Sequence, residues 1–121
     1  MNLPNGEAKV AQERKVSNPP WIITAQELQL ELSKVVLVDV REPEEFNEAR
    51  IDGCKLIPLG EISHRGPNEL QSNDPIVLYC AHGVRSLNAL MALKSVGFKN
   101  LRSLDGGISS WIEAGFSIKS S

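Results

Sequence analysis

Cysteine and histidine are scarce in this chain. The 121 residues contain two cysteines and two histidines, and no zinc-binding spacing occurs among them. At most one disulfide could form, between Cys54 and Cys80, so the chain is not a disulfide framework. We therefore expect neither a metal site nor a bound cofactor.

The chain also lacks an excess of charge and a long apolar run. Thirteen basic residues stand against fifteen acidic residues, which gives a net charge of −2. This balance does not support a nucleic-acid-binding surface, and no segment approaches the length of a membrane-spanning helix. The first residues carry neither part of a secretory signal. We expect a cytoplasmic protein with reduced thiols that binds neither nucleic acid nor membrane.

The composition is typical of one globular domain. Apolar residues make up 41% and charged residues 23% of the chain, which are ordinary values for such a domain. Residues 1–20 are polar and end in Ser-Asn-Pro-Pro, which predicts a flexible N-terminal arm. We place the folded domain at residues 21–117 and a C-terminal tail at residues 118–121.

Short apolar runs alternate with amphipathic segments along the folded part. The predicted strands are residues 21–23, 35–40, 55–58, 76–79 and 101–104. The predicted helices are residues 25–33, 43–48, 86–96 and 108–114. Residues 59–74 are predicted to be loop with one or two helical turns. This alternation predicts an α/β fold in which helices cover both faces of a central, mostly parallel sheet.

The most informative stretch is Cys80-Ala81-His82-Gly83-Val84-Arg85, between an apolar strand and a helix that we expect Ser86 to cap. Functional sites of such folds lie at the carboxyl ends of strands. Three features would lower the pKa of the Cys80 thiol: the start of the helix, backbone N–H groups in a loop that Gly83 helps to shape, and the Arg85 guanidinium. We predict a thiolate nucleophile, although a packed, unreactive cysteine is the alternative.

Other residues allow simpler interpretations. Asp39 and Arg41 are two positions apart near a strand end, so their side chains can lie on the same face. We interpret them as an ion pair rather than as catalytic residues. His82 is more simply a solvated loop residue than a general acid/base or a residue that helps to bind an anion. Cys54 is more simply a packed thiol than a resolving thiol. Asp105 begins a turn that precedes the last helix, and we interpret Trp111 as a core residue.

Four motifs, in order, resemble those of the single-domain rhodaneses, a family of sulfurtransferases. Residues 38–46 resemble its first signature and residues 50–54 its second, from which Arg50 and Cys54 depart. The segment from Cys80 to Ser86 resembles the active-site loop. Residues 104–107 together with Trp111 resemble the closing motif. The resemblance covers residues 21–116.

The resemblance implies a rhodanese-like three-layer fold with a five-stranded, mostly parallel sheet. It also implies that Cys80 carries a persulfide and that the loop around it forms a substrate cradle, in which Arg85 faces the sulfur donor. Three residues would support this site: Asp39, Arg41 and Asp105. The cradle residues are Ala81, His82, Gly83, Val84, Arg85 and Ser86.

The expected activity is transfer of sulfane sulfur from a donor such as thiosulfate to cyanide or to a protein or small-molecule thiol. One alternative is a sulfur-relay module that serves a desulfurase or a sulfur-carrier protein. A phosphatase or arsenate reductase is the weaker alternative. Four residues separate Cys80 from Arg85, whereas the related phosphatases use one more, and their wider cradle admits a tetrahedral oxyanion.

Overall fold

The computed structural model describes residues 18–121. Five strands and five α-helices alternate along this part of the chain, with two 3₁₀ segments at Leu32–Lys34 and Leu59–Glu61. The strands are β1 (Ile22–Ile23), β2 (Val36–Asp39), β3 (Lys55–Leu56), β4 (Ile76–Tyr79) and β5 (Leu101–Leu104). The helices are α1 (Ala25–Glu31), α2 (Pro43–Glu48), α3 (Ile62–Glu69), α4 (Val84–Ser95) and α5 (Gly107–Glu113).

The strands form one parallel sheet in the order β1-β5-β4-β2-β3. Central strand β4 is buried at every residue, as an apolar run in a parallel sheet predicts. Leu78 pairs with Val38 on one side and with Ser103 on the other. The predicted α/β fold with helices around a five-stranded parallel sheet is therefore confirmed.

Side chains of β4 alternate between two cores, one on each face of the sheet. Leu78 and Cys80 pack with residues of α3 and α4, such as Ile62 and Leu93. Val77 and Tyr79 face the opposite core, together with residues of α1 and α5. The two-residue period of a strand thus separates Cys80 from its neighbour Tyr79.

Helix α4 begins two residues before the predicted start. Gly83 is its N-cap, with φ of 109°, so Val84 already belongs to the helix and the prediction that Ser86 caps it was wrong. Glycine can adopt this left-handed conformation at little cost. The side chain of Ser86 is instead buried beside Cys80.

Residues 59–74 contain more helix than the sequence predicted. Helix α3 spans Ile62–Glu69 and includes Gly66 and Pro67, which were interpreted as loop formers. Gly66 has a packing role here: a Cβ atom at this position would lie 2.6 Å from Cδ2 of Leu93 in α4. Arg65 adds ion pairs to Glu61 and Glu69, each one helical turn away.

The C-terminal residues return to the domain. Lys119 pairs with Arg50 in an isolated antiparallel bridge, and the Ser121 N–H donates to the Asn47 carbonyl at 2.9 Å. The predicted arm at residues 1–20 lies almost entirely outside the described residues. Within residues 18–121, no helix has the length and apolar character needed to cross a membrane.

Candidate active site

Cys80 lies directly after β4, and its sulfur is the point on which the following loop converges. The N–H groups of Gly83 and Ser86 donate to Sγ at 3.1 and 3.3 Å. The Ser86 hydroxyl lies 3.5 Å from the same sulfur. Only 1% of Cys80 is exposed. A buried sulfur with several donors directed at it is an arrangement that accommodates negative charge.

The pKa of the Cys80 thiol lies below its ordinary value. Burial acts in the opposite direction and raises the pKa, because it removes water from the charged form. Hydrogen bonds from the Ser86 hydroxyl and from the N–H groups of Ser86, Gly83 and His82 outweigh this effect. The local donors therefore favour the thiolate, which is the nucleophilic form of cysteine.

A second buried hydroxyl supports Ser86 from behind. Ser103 Oγ in β5 lies 2.7 Å from Ser86 Oγ, and both residues are at most 1% exposed. Ser86 Oγ also lies within hydrogen-bond distance of the Gly83 carbonyl, at 3.2 Å. Sequence reasoning missed Ser103. Its signal was a polar residue at an inward-facing position of an otherwise buried strand.

The start of α5 holds the other side of the loop. The N–H groups of Ile108 and Ser109 donate to the carbonyls of Cys80 and Ala81, at 2.9 and 3.2 Å. Gly107 permits this approach, since an added Cβ atom would lie 2.4 Å from both carbonyl oxygens. The sequence placed Gly107 in a turn but did not identify this contact with the loop.

The remaining loop residues lie nearer the surface. Ala81 is partly buried and His82 is exposed, and His82 Nδ1 lies 3.2 Å from the Ser109 hydroxyl. Val84 is 70% exposed at the first turn of α4. An apolar side chain is thus open to solvent beside the buried sulfur.

Arg85 pairs with a carboxylate of α2. Its Nη1 and Nη2 atoms donate to Oε1 and Oε2 of Glu45 at 2.8 and 2.9 Å. The hydrogen bond from Arg85 lowers the pKa of Glu45 to about 2, so both groups are charged at neutral pH. The pair is about one third exposed. Sequence reasoning placed Arg85 toward the donor and missed Glu45, which the first signature contains.

Asp39 and Arg41 form a buried ion pair at the end of β2. Arg41 donates from Nε, Nη2 and its backbone N–H to the Asp39 carboxylate. Arg41 Nη2 also donates to the Ala49 carbonyl at 2.5 Å, and the guanidinium lies over the Tyr79 ring. The pair thereby attaches the ends of α2 to the sheet.

Asp105 lies apart from this network. It is exposed, and its backbone N–H donates to the Ile23 carbonyl at 2.8 Å. No hydrogen bond joins its side chain to the loop in the part of the chain that the structure describes. Its predicted supporting role stays a prediction.

Cys54 belongs to the opposite side of the sheet. Its sulfur accepts a hydrogen bond from the Tyr79 hydroxyl at 3.3 Å, and it packs against the core that contains Tyr79 rather than Cys80. Burial raises the pKa of the Cys54 thiol. This environment favours the packed, unreactive interpretation. No cluster of three metal-ligating side chains occurs among residues 18–121.

A comparison with known families decides the classification. The model of the rhodanese-like domain matches residues 24–114. The chain belongs to the rhodanese-like domain family. The match includes β2, the Cys80 loop and all of α5, so every group described around the sulfur falls inside this rhodanese-like domain.

Relatives of this rhodanese-like domain include proteins named for sulfur transfer. The thiosulfate sulfurtransferase GlpE of Shewanella oneidensis is 37% identical over 84 residues, which cover 69% of this chain and 82% of that protein. The probable adenylyltransferase/sulfurtransferase MoeZ of Mycobacterium tuberculosis is 46% identical over 79 residues. The putative sulfur carrier protein YrkF of Bacillus subtilis is 43% identical over 75 residues. These matches cover 64% and 62% of this chain, but only 20% of MoeZ and 40% of YrkF.

Solved structures agree with the assignment. A rhodanese-related protein from Thermoplasma volcanium superposes with a TM-score of 0.76 at 32% identity. The superposition covers 82% of this chain and 97% of the other. The rhodanese-like fold therefore accounts for nearly all residues that the structure describes.

Proposed function

We propose that this rhodanese-like domain transfers sulfane sulfur through a persulfide on Cys80. The observation that carries the proposal is the buried Cys80 sulfur, which accepts hydrogen bonds from the N–H groups of Gly83 and Ser86 at 3.1 and 3.3 Å. Donors arranged in advance around a sulfur anion stabilise a thiolate before the reaction. The same donors would stabilise the terminal sulfur of a persulfide after it.

The chemistry has two balanced steps. The Cys80 thiolate attacks the outer sulfur of thiosulfate, a new S–S bond forms, and sulfite leaves with the electron pair of the broken S–S bond. An acceptor thiolate or cyanide then attacks the outer sulfur of the persulfide. Cys80 leaves as a thiolate, and the acceptor becomes a persulfide or thiocyanate. Neither step requires a metal or an external oxidant.

The length of the loop supports sulfur rather than phosphate chemistry. Four residues separate Cys80 from Arg85, and the N–H groups of Gly83 and Ser86 already lie close to the cysteine sulfur. Donors at these distances suit a single added sulfur atom better than a tetrahedral phosphate. Phosphatase and arsenate reductase activities are therefore the weaker candidates.

A relay between proteins is the second candidate. It is favoured by the relatives named as an adenylyltransferase/sulfurtransferase and as a putative sulfur carrier. In this role a desulfurase would load Cys80, or a carrier protein would accept the sulfur. Faster loading by a cysteine desulfurase than by thiosulfate at equal concentration would favour the relay.

Intact-mass analysis after incubation with thiosulfate tests the proposal. We expect the wild-type protein to gain one sulfur atom, which cyanide then removes. Cys80→Ser should gain none, whereas Cys54→Ser should load like the wild type. The proposal would be wrong if the wild type gained no sulfur from thiosulfate or a desulfurase, or if loading required Cys54 instead of Cys80.

A further inference from the structure

The charges around the Cys80 loop cancel in pairs. Arg85 donates two hydrogen bonds to Glu45, and Arg41 donates three side-chain hydrogen bonds to Asp39. Each guanidinium is thus matched by one carboxylate. When Cys80 is a thiolate, its negative charge has hydrogen-bond donors but no unpaired cation among these side chains.

This balance bears on the charge of an incoming donor. Thiosulfate brings two negative charges to a thiolate, whereas a thiosulfonate or a hydropersulfide anion brings one charge at the reacting end. If Arg85 had no carboxylate partner, its charge would offset part of the repulsion. Because Glu45 occupies both of its terminal nitrogens, that offset is reduced, and a dianion is repelled more than a monoanion.

We propose that Glu45 sets the charge preference of the donor site, so that Cys80 accepts sulfur more readily from singly charged donors than from the dianion thiosulfate. The inference rests on the proposed sulfur-transfer function and assigns its substrate class. Glu45 acts through Arg85 and is a positioning residue. It contacts Arg85 and the Glu42 N–H rather than the sulfur.

The test compares two donors that share the same reacting bond. Thiosulfate carries two charges and methanethiosulfonate carries one, and attack by the thiolate releases sulfite or methanesulfinate with the bonding electron pair. The measurement is kcat/KM for persulfide formation with each donor. The ratio of the two kcat/KM values cancels any effect of a substitution that changes both donors equally.

Glu45→Gln removes the carboxylate charge and keeps an oxygen that can accept the Glu42 N–H, as the capping box allows. We expect the thiosulfate to methanethiosulfonate ratio to rise about threefold, a size typical of one partly exposed charge. The rise should shrink at about 1 M salt, where the screening length is about 3 Å. A simple packing defect would not depend on salt in this way.

Glu31→Gln is the matched control. Glu31 forms an ion pair with Arg102 at 2.8 Å, and this pair is about as exposed as that of Glu45 and Arg85. Arg102 lies in β5 opposite Val77, three residues before Cys80, so this ion pair lies outside the Cys80 loop. This variant should leave the donor ratio unchanged. An unchanged or lower ratio in folded Glu45→Gln would overturn the inference while leaving sulfur transfer intact.

The wild-type protein provides an independent measurement should Glu45→Gln fold poorly. We expect added salt to raise kcat/KM for thiosulfate more than for methanethiosulfonate, because screening relieves repulsion. A fall with salt would indicate a net attractive site and overturn the inference. If neither donor loads Cys80 but a cysteine desulfurase does, the inference is overturned while sulfur transfer stands. If the desulfurase fails as well, the proposed function fails and the inference fails with it.

Discussion

At the scale of single residues, local hydrogen bonds rather than a nearby cation distinguish Cys80 from Cys54. Cys80 has donors from its own loop, and its pKa is lowered despite burial. Cys54 is partly buried and accepts a hydrogen bond from Tyr79, and burial raises the pKa of its thiol. Stabilisation of the folded protein by the Cys80 thiolate is therefore present above the ordinary thiol pKa and is lost as the pH falls through the lowered value.

Ser103→Ala should make Cys80 less reactive at neutral pH. When Cys80 is a thiolate, the Ser86 hydroxyl can donate to the sulfur while it accepts from Ser103, and the substitution removes this second donor. A hydrogen bond is worth about 1 kcal/mol, so alkylation by iodoacetamide below the thiol pKa should slow about fivefold. The pH–rate profile should move to higher pH in a Cys54→Ser background.

Ser95→Ala provides the matched control for this experiment. Ser95 is an exposed serine of α4 whose hydroxyl donates to the Ala92 carbonyl at 2.7 Å, and it has no link to Cys80. Its replacement should leave the profile in place. If Ser103→Ala also left the profile in place, Ser103 would have a packing role only.

At the scale of secondary-structure elements, the loop is held between the start of α4 and the start of α5. Gly107→Ala should disturb this arrangement, because the added Cβ would meet two backbone carbonyls. We expect unfolding in urea to show a loss of about 2–4 kcal/mol, from strain at φ of 63° and from the clash. Persulfide loading per folded molecule should also slow.

Gly115→Ala separates strain from clash. Gly115 has φ of 86°, but a Cβ atom there would have no neighbour within 4 Å, so we expect a loss of about 1 kcal/mol and normal loading. Equal losses in the two variants, with equal loading, would contradict the proposed contact between Gly107 and the loop.

The elements also show which local signals were informative. Strands β4 and β5 match their predicted ranges at residues 76–79 and 101–104, because apolar runs between turn formers indicate buried strands. The extent of helix α3 was underestimated, as one or two turns within a loop, because Gly66 and Pro67 usually mark loops. The close packing of Gly66 on Leu93 is a tertiary contact that no local pattern reveals.

At the scale of the whole molecule, the candidate site combines elements that are distant in sequence. The position of Cys80 and its loop could be predicted, because a cysteine between a strand and a helix has a local pattern. Glu45 and Ser103 could not, because their positions depend on the strand order and on where α2 packs. The opposite direction of Tyr79 and Cys80 follows from strand geometry, but the pairing of Arg85 with Glu45 required the assembled fold.

The buried ion pair of Asp39 and Arg41 connects the sheet to the segment that carries Glu45, so its loss should affect the whole domain. Asp39→Asn leaves the Arg41 guanidinium buried without a matching charge, and we expect a loss of about 3 kcal/mol in the free energy of unfolding. Glu31→Gln breaks the more exposed pair with Arg102 and should cost less than about 1 kcal/mol. Urea denaturation of both variants measures the difference. Equal losses would mean that the buried pair is dispensable for stability, and that other contacts hold α2 against the sheet.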